Sequence, residues 1–144
     1  DEHQEFLLHR YRYPQPRCAL VPALVKLASA AMDVSDGLIG DIGALCAVSG
    51  VSANIDIADI ALSAAVEKLV TGDEKRLHQA LTGGDDYEII CTVAPANADE
   101  FEAMAKQCNV SLGRIGVITE GAHHPQFFDS QKNQVVFAVE RYEH

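Results

Sequence analysis

The chain has 144 residues, 48% of them hydrophobic, and a formal net charge of −10. This length predicts one domain with enough apolar residues to form a core. The negative charge argues against nucleic acid and anionic membranes as partners bound through bulk electrostatics, and no apolar run is long enough to cross a bilayer.

The cysteines at 18, 46, 91 and 108 show no paired spacing. We therefore interpret them as reduced, mostly buried thiols of a cytoplasmic protein, and not as a zinc site or a disulfide framework.

The chain begins with a predicted helix over 2–13 that stops before Pro14. The nearby Arg10, Arg12 and Arg17 form a basic cluster. We expect them to be exposed surface residues, with phosphate contact as the alternative.

Further along, hydrophobic periodicity and capping residues predict helices over 22–30, 36–49, 63–70 and 74–81. Gly50 ends the second of these, and Ser63 caps the third. Residues 31–34 are either strand or turn. Strands are predicted over 51–57 and 87–93, and the latter is rich in β-forming residues and is expected to be central.

In the last part of the chain, Asn97 and Glu100 have the spacing of a capping box, which predicts a helix after Asn97. A strand is predicted over 110–119, and a hairpin pairs 126–129 with 134–139. Helices and strands are interleaved, and the late hairpin is antiparallel. The expected fold is therefore α/β in the broad sense (α+β), with a mixed β-sheet flanked by helices.

A short acidic motif lies where residues 31–34 lead into the longest predicted helix, over 36–49. Asp33 and Asp36 stand three residues apart with Ser35 between them. Carboxylates at the start of a helix are good ligands for Mg²⁺, and the free N–H groups there favour anions, so the motif suits phosphate chemistry. Simple helix capping is the alternative. Asp41, one turn later, is expected to be a solvated carboxylate, although it could face the same site.

A second motif, Gly-Gly-Asp-Asp-Tyr-Glu at 83–88, combines a glycine turn with two adjacent carboxylates. We favour a functional interpretation, because adjacent unpaired carboxylates are costly unless they are solvated or bound. The alternative is a tight turn that needs glycine only for a positive φ.

Together these motifs resemble the carboxy-terminal half of the thiamine-monophosphate kinase family, which belongs to the aminoimidazole ribonucleotide synthetase-like superfamily. The resemblance rests on Met-Asp-Val-Ser-Asp-Gly-Leu at 32–38 and Leu-Thr-Gly-Gly-Asp-Asp-Tyr-Glu at 81–88. It extends to Tyr-Arg-Tyr-Pro-Gln-Pro-Arg at 11–17, Gly-Arg-Ile-Gly at 113–116 and the closing Arg-Tyr-Glu-His at 141–144.

The resemblance implies that residues 1–144 are the carboxy-terminal domain of a larger two-domain enzyme. The absent amino-terminal domain would carry most of the ATP and Mg²⁺ site and most of a homodimer interface. The family transfers the γ-phosphoryl group of ATP to thiamine monophosphate, giving thiamine diphosphate and ADP. The isolated chain is therefore expected to be inactive, although it derives from an ATP-dependent phosphotransferase of thiamine biosynthesis.

The resemblance also implies roles for individual residues. Asp33 and Asp36 match Mg²⁺ ligands, and Ser35 matches a nucleotide contact. Asp85 matches a substrate contact, at a position where the family usually has Glu. Tyr142 matches a terminal aromatic substrate contact that would stack on a thiamine ring, although Arg141 stands before it where the family tends to have glycine.

Two alternatives remain from the sequence. The first is another ATP-using member of the superfamily, such as aminoimidazole ribonucleotide synthetase, selenide water dikinase or a hydrogenase-maturation protein. These lack the Gly-Gly-acidic-Asp-Tyr-Glu turn. The second is a non-catalytic module that binds thiamine phosphate without ATP turnover.

Overall fold

A computed structural model of the chain describes residues 2–83 and 88–138. Its helices are α1 Glu2–Arg12, α2 Val21–Leu27, α3 Leu38–Ser49, α4 Ala64–Val70, α5 Glu74–Thr82 and α6 Ala98–Gln107. Its strands are β1 Ala28–Asp33, β2 Ser52–Asp56, β3 Ile89–Val93, β4 Gly116–Thr119, β5 Gln126–Phe128 and β6 Gln134–Val135. In these two ranges no helix is long and apolar enough to span a membrane.

The strands form two separate sheets. The larger sheet has four strands in the order β4-β2-β5-β6, with β2 antiparallel to β4 and parallel to β5. Strands β5 and β6 form the predicted antiparallel hairpin. The smaller sheet pairs β1 with β3 in antiparallel orientation. The predicted α/β class with a mixed sheet is therefore confirmed, and the β1–β3 pair stands apart from that sheet.

Two hydrophobic cores hold the helices on the strands. The larger one packs α3 and the end of α5 against the strands, and its buried members include Ile39, Ile42, Cys46, Ile55, Leu81, Ile90 and Phe127. The smaller one packs α2 against α6 and consists of Leu20, Ala23, Leu27, Phe101 and Ala105. Strand β3 contributes to both, because Ile90 belongs to the larger core while Cys91 and Val93 pack against the smaller one.

The helix ends follow the predicted caps at two of three positions. Ser63 Oγ accepts a hydrogen bond from the Val66 N–H at 3.3 Å, and Gly50 ends α3 in the left-handed conformation, with φ +67°. The capping box at Asn97 is wrong, because the Asn97 side chain makes no capping hydrogen bond. A 3-10 turn over Pro95–Asn97 leads directly into α6, so the Asn97 backbone is already helical and its side chain cannot fold back.

The boundary between α2 and β1 differs from the prediction. The helix predicted over 22–30 ends at Leu27, and Ala28 already pairs with Val93 of β3. Alanine favours helices locally, but strand pairing overrides this weak preference. The prediction that β3 is central is also wrong for the described residues, where β1 is its one partner strand. Its β-forming composition reflects burial in the two cores.

The strand predicted over 110–119 is shorter than expected and begins at Gly116. A Cβ atom at Gly116 would lie 2.1 Å from the Asn54 carbonyl oxygen, so glycine permits the close approach of β4 to β2. Before it, the guanidinium of Arg114 bonds to Asp99 at 2.6 Å and also to Glu102. These ion pairs tie the segment that precedes β4 to α6.

All four cysteines of the chain are free thiols. The prediction that they are mostly buried is wrong, because Cys18 and Cys108 are exposed. Cys46 is buried in the larger core, and Cys91 is half-buried in β3. Burial raises the pKa of both thiols. Both therefore stay protonated near neutral pH, a state that is a poor nucleophile and a poor metal ligand.

Candidate functional site

The first acidic motif occupies the connection between β1 and α3. Strand β1 ends at Asp33, and α3 begins at Leu38, two residues after the predicted start at Asp36. Val34 is buried in the larger core, whereas Asp33 is exposed and Ser35 and Asp36 are half-buried. The apolar residue therefore anchors the connection and leaves its polar residues near the surface. We call residues 33–37, from the last residue of β1 to the residue before α3, the acidic loop.

Asp41 differs from the solvated carboxylate that was predicted. Its residue exposure is only 2%. Its Oδ2 atom accepts hydrogen bonds from the backbone N–H of Ser35 at 2.9 Å and of Asp36 at 3.1 Å. The N–H groups of Ser35 and Asp36, just before the helix start at Leu38, are therefore already bound by the chain's own carboxylate. A sequence signal existed: Asp41 lies three residues after Leu38 and four before Leu45, beside the apolar stripe of α3.

Gly37 brings the acidic loop against the end of α5. Its φ of +108° is a conformation that L side chains rarely adopt. A Cβ atom at this position would lie 2.5 Å from the carbonyl oxygen of Thr82 and 2.7 Å from its carbonyl carbon. Thr82 immediately precedes Gly83 of the second motif. Gly37 and Gly83 therefore lie close together at this point.

Glu88, the last residue of the second motif, meets the same loop. The N–H of Val34 donates to the carbonyl oxygen of Glu88 at 2.8 Å, and Asp33 is the β-sheet partner of Ile89. Residues 84–87, which include Asp85, and residues 139–144, which include Tyr142, lie outside the described residues. Gly83 has an ordinary φ of −71°, so the positive-φ explanation is wrong for this glycine.

Glu88 is also the centre of an ion-pair cluster. Its carboxylate accepts from Arg10 Nη2 at 2.8 Å, from Arg17 Nε at 2.9 Å and from Arg17 Nη2 at 2.5 Å. The expectation that Arg10 and Arg17 are merely exposed is wrong, because their side chains are 20% and 28% exposed and paired. The pair with Arg17 is bidentate, a geometry that fixes direction as well as charge. Sequence separations of 78 and 71 residues gave no local signal for it.

The oxygen atoms of the acidic loop are chemically suited to Mg²⁺, which prefers carboxylate, hydroxyl and water oxygens in octahedral geometry. Asp33 and Asp36 supply two carboxylates, and Ser35 supplies a hydroxyl. Within 2–83 and 88–138 no three or more His, Cys, Asp or Glu residues are grouped so that they could hold a metal ion. The described residues therefore fit part of a magnesium site and would need further ligands to complete it.

Comparison with known proteins assigns the fold. Residues 1–125 match the family model described as AIR synthase related protein, C-terminal domain. The chain belongs to this family. Among solved structures of the same fold is the hydrogenase maturation protein HypE from E. coli, with a TM-score of 0.69 and 15% identity. At that identity the likeness extends to the fold alone.

More similar relatives of this family domain are thiamine-monophosphate kinases. The kinase of Haemophilus influenzae is 38% identical over 135 residues, and that of Caulobacter vibrioides is 36% identical over 118 residues. These alignments cover 92% and 80% of this chain but only 40% and 34% of the two relatives. The chain therefore spans well under half the length of the curated kinases that it matches.

Two solved structures agree with this relationship. The crystal structure of the thiamine-monophosphate kinase from Stenotrophomonas maltophilia K279a has a TM-score of 0.79 and 37% identity, covering 86% of this chain and 39% of that one. AaThiL complexed with AMPPCP and TMP has a TM-score of 0.76 and 26% identity, covering 99% of this chain and 43% of that one.

Proposed function

We propose that this chain is the carboxy-terminal domain of a thiamine-monophosphate kinase. The whole enzyme would transfer the γ-phosphoryl group of ATP to thiamine monophosphate, giving thiamine diphosphate and ADP. The observation that carries this proposal is that the acidic loop contacts the second motif at both ends. Gly37 lies against Thr82, the residue before the motif, and Val34 bonds to Glu88, its last residue. The similarity to thiamine-monophosphate kinases supports it.

The proposed chemistry follows from charge. The accepting oxygen of thiamine monophosphate is already anionic, so the reaction needs no strong general base. It needs the repulsion between two anions to be offset, which positioned charges and metal ions achieve in phosphoryl transfer. Asp33 and Asp36 would hold Mg²⁺, which would neutralise charge on the ATP phosphates. Ser35 would contact the nucleotide through its hydroxyl group, because Asp41 already binds the Ser35 N–H.

The proposed substrate contacts come from the second motif and the end of the chain. Asp85 would accept hydrogen bonds from the aminopyrimidine and face the cationic thiazolium of thiamine monophosphate. Tyr142 would stack on a thiamine ring. The support for Asp85 is the placement of Thr82 and Glu88, three residues before and after it, against the acidic loop.

We further propose the setting in which this domain works. The additional ligands that a complete Mg²⁺ and ATP site requires would come from an amino-terminal domain of the full-length protein. That domain would also form most of a homodimer interface. A cytoplasmic location is proposed because all four thiols of the chain are free, as expected in a reducing compartment.

The function is tested by assaying the full-length protein for thiamine diphosphate formation from ATP and thiamine monophosphate with Mg²⁺. We expect turnover within the ~1–100 s⁻¹ usual for kinases. The isolated 144-residue chain, assayed in parallel, should fold but remain inactive. If the full-length protein makes no thiamine diphosphate, the proposal fails. Turnover of thiamine monophosphate by the isolated chain would refute the need for a second domain.

We predict that Asp85→Ala in the full-length protein raises KM for thiamine monophosphate and leaves KM for ATP nearly unchanged. The lost hydrogen bond to a charged group corresponds to about 1.5–3 kcal/mol. Asp85→Glu restores the residue usual in the family and should be tolerated. Equal changes in both KM values would instead assign Asp85 to the metal site. Unchanged values would make the turn a scaffold, with Asp86 or Tyr142 as the next residue to vary.

A further inference from the structure

Asp41 is a buried carboxylate to which the proposed chemistry assigns no direct role. A carboxylate in a protein interior is costly unless hydrogen bonds compensate for the water that it loses. At Asp41 the partners are the N–H groups of Ser35 and Asp36, both bound to the same oxygen atom. The buried carboxylate of Asp41 therefore binds the backbone of two residues whose side chains are proposed to contact the nucleotide and the metal.

Asp41 is held in place through both its backbone and its side chain. Its own N–H donates to the Gly37 carbonyl oxygen at 3.0 Å, which locks it into the first turn of α3. Its side chain then reaches back across the acidic loop. Two N–H donors on one oxygen hold the peptide units before Ser35 and before Asp36 at set orientations to the helix. The directions in which the Ser35 and Asp36 side chains leave the backbone are set in the same way.

We infer that Asp41 is a positioning residue for the phosphoryl-transfer site. It orients Ser35 and Asp36 toward Mg²⁺-bound nucleotide, and it keeps their N–H groups from binding a phosphate directly. This inference rests on the proposed function. It differs from the helix-start anion sites that bind phosphate through free N–H groups. Here Ser35 and Asp36 present their side chains to the ligand, and the N–H groups of these two residues stay bound to Asp41.

The test combines amide hydrogen exchange with kinetics on the full-length protein. Asp41→Asn keeps the shape of the side chain but replaces the ionised acceptor with a neutral one. We expect faster exchange at the amides of Ser35 and Asp36. We also expect the Mg²⁺ concentration for half-maximal activity to rise ~10–100-fold, the range usual when a group that orients a metal ligand is lost. KM for thiamine monophosphate should change much less. Asp41→Ala should give larger effects of the same kind.

Asp129 provides a matched control. Its Oδ1 atom accepts the N–H groups of Gln131 at 2.8 Å and of Asn133 at 2.9 Å, so it also holds two amides through one oxygen. Both partners lie in the turn between β5 and β6. Asp129→Asn should speed exchange at the Gln131 and Asn133 amides and leave the Mg²⁺ dependence unchanged. A general effect of losing a carboxylate cap would appear in both variants.

Each outcome decides the inference. Unchanged exchange at Ser35 and Asp36 in Asp41→Asn would overturn it, and so would a lower melting temperature with unchanged kcat and Mg²⁺ dependence. If the variants do not fold, the wild-type protein still gives a test, since rapid exchange of the Ser35 and Asp36 amides without nucleotide would also overturn it. A wild-type protein that makes no thiamine diphosphate refutes the proposed function, while the exchange measurements report separately on Asp41.

Discussion

Asp33→Asn and Asp36→Asn in the full-length protein should each lower kcat about 100-fold or more, as loss of one positioned electrostatic contact typically does. Each change removes a negative charge from the proposed metal site and keeps almost the same shape. Asp33 is exposed and Asp36 is half-buried, so neither substitution leaves a cavity in the core. The protein should remain folded, and excess Mg²⁺ should recover part of the lost activity if the substitution mainly weakens metal binding.

The measurement is kcat as a function of Mg²⁺ concentration, together with a melting temperature for each variant. Asp99→Asn is a suitable control, because the Asp99 side chain is 95% exposed. Asp99 lies in the first turn of α6, which begins five residues after Val93. Val93 pairs with Ala28, at the opposite end of β1 from Asp33. The control should keep normal kinetics. If Asp33→Asn or Asp36→Asn retains near-normal activity at low Mg²⁺, the metal assignment is wrong. Loss of activity only through unfolding would assign the two carboxylates a structural role. Simple helix capping, the alternative from the sequence, is wrong, because the N-cap of α3 is Gly37 and no side chain caps this helix.

The elements that sequence could predict are those whose signals are local. The Ser63 cap and the left-handed Gly50 depend on a few adjacent residues, and both were visible in the pattern. The same holds for the β5–β6 hairpin, whose strands follow each other closely. By contrast, the end of α2 at Leu27 depends on pairing with a strand more than 60 residues away, as the Ala28–Val93 register shows. Helix propensity alone cannot report such a partner.

The candidate site divides in the same way. Asp33, Ser35 and Asp36 could be selected from their spacing, since residue type and position suffice to suggest metal and phosphate chemistry. The ion pairs of Arg10 and Arg17 with Glu88 could not, because each joins distant parts of the chain. These pairs fix the end of α1, through Arg10, and the connector after it, through Arg17, to the residue just before β3, next to the acidic loop. Residue type and spacing are therefore enough to select side chains suited to the chemistry, whereas the long-range contacts that position them are visible only in the fold.

Gly37→Ala should lower the free energy of unfolding more than any other single substitution in the acidic loop. The alanine would have to adopt a φ of +108°, and its Cβ atom would lie 2.5 Å from the Thr82 carbonyl oxygen. Backbone strain of this kind costs about 1–3 kcal/mol, and forcing an extra carbon into a packed position adds a similar amount. Relief would require the loop to move away from the end of α5. We therefore expect both lower stability and lower kcat in the full-length protein.

Gly72→Ala separates the two causes. Gly72 also has a positive φ, +75°, but no atom lies within 4 Å of the position that its Cβ would occupy. It should therefore show only the backbone cost, about 1–2 kcal/mol, with normal kinetics. Urea and thermal unfolding of both variants measure the difference. Equal destabilisation would mean that the close contact between Gly37 and Thr82 does not constrain the loop. Greater loss in Gly37→Ala, accompanied by reduced kcat, would link the packing of α5 against the acidic loop to phosphoryl transfer.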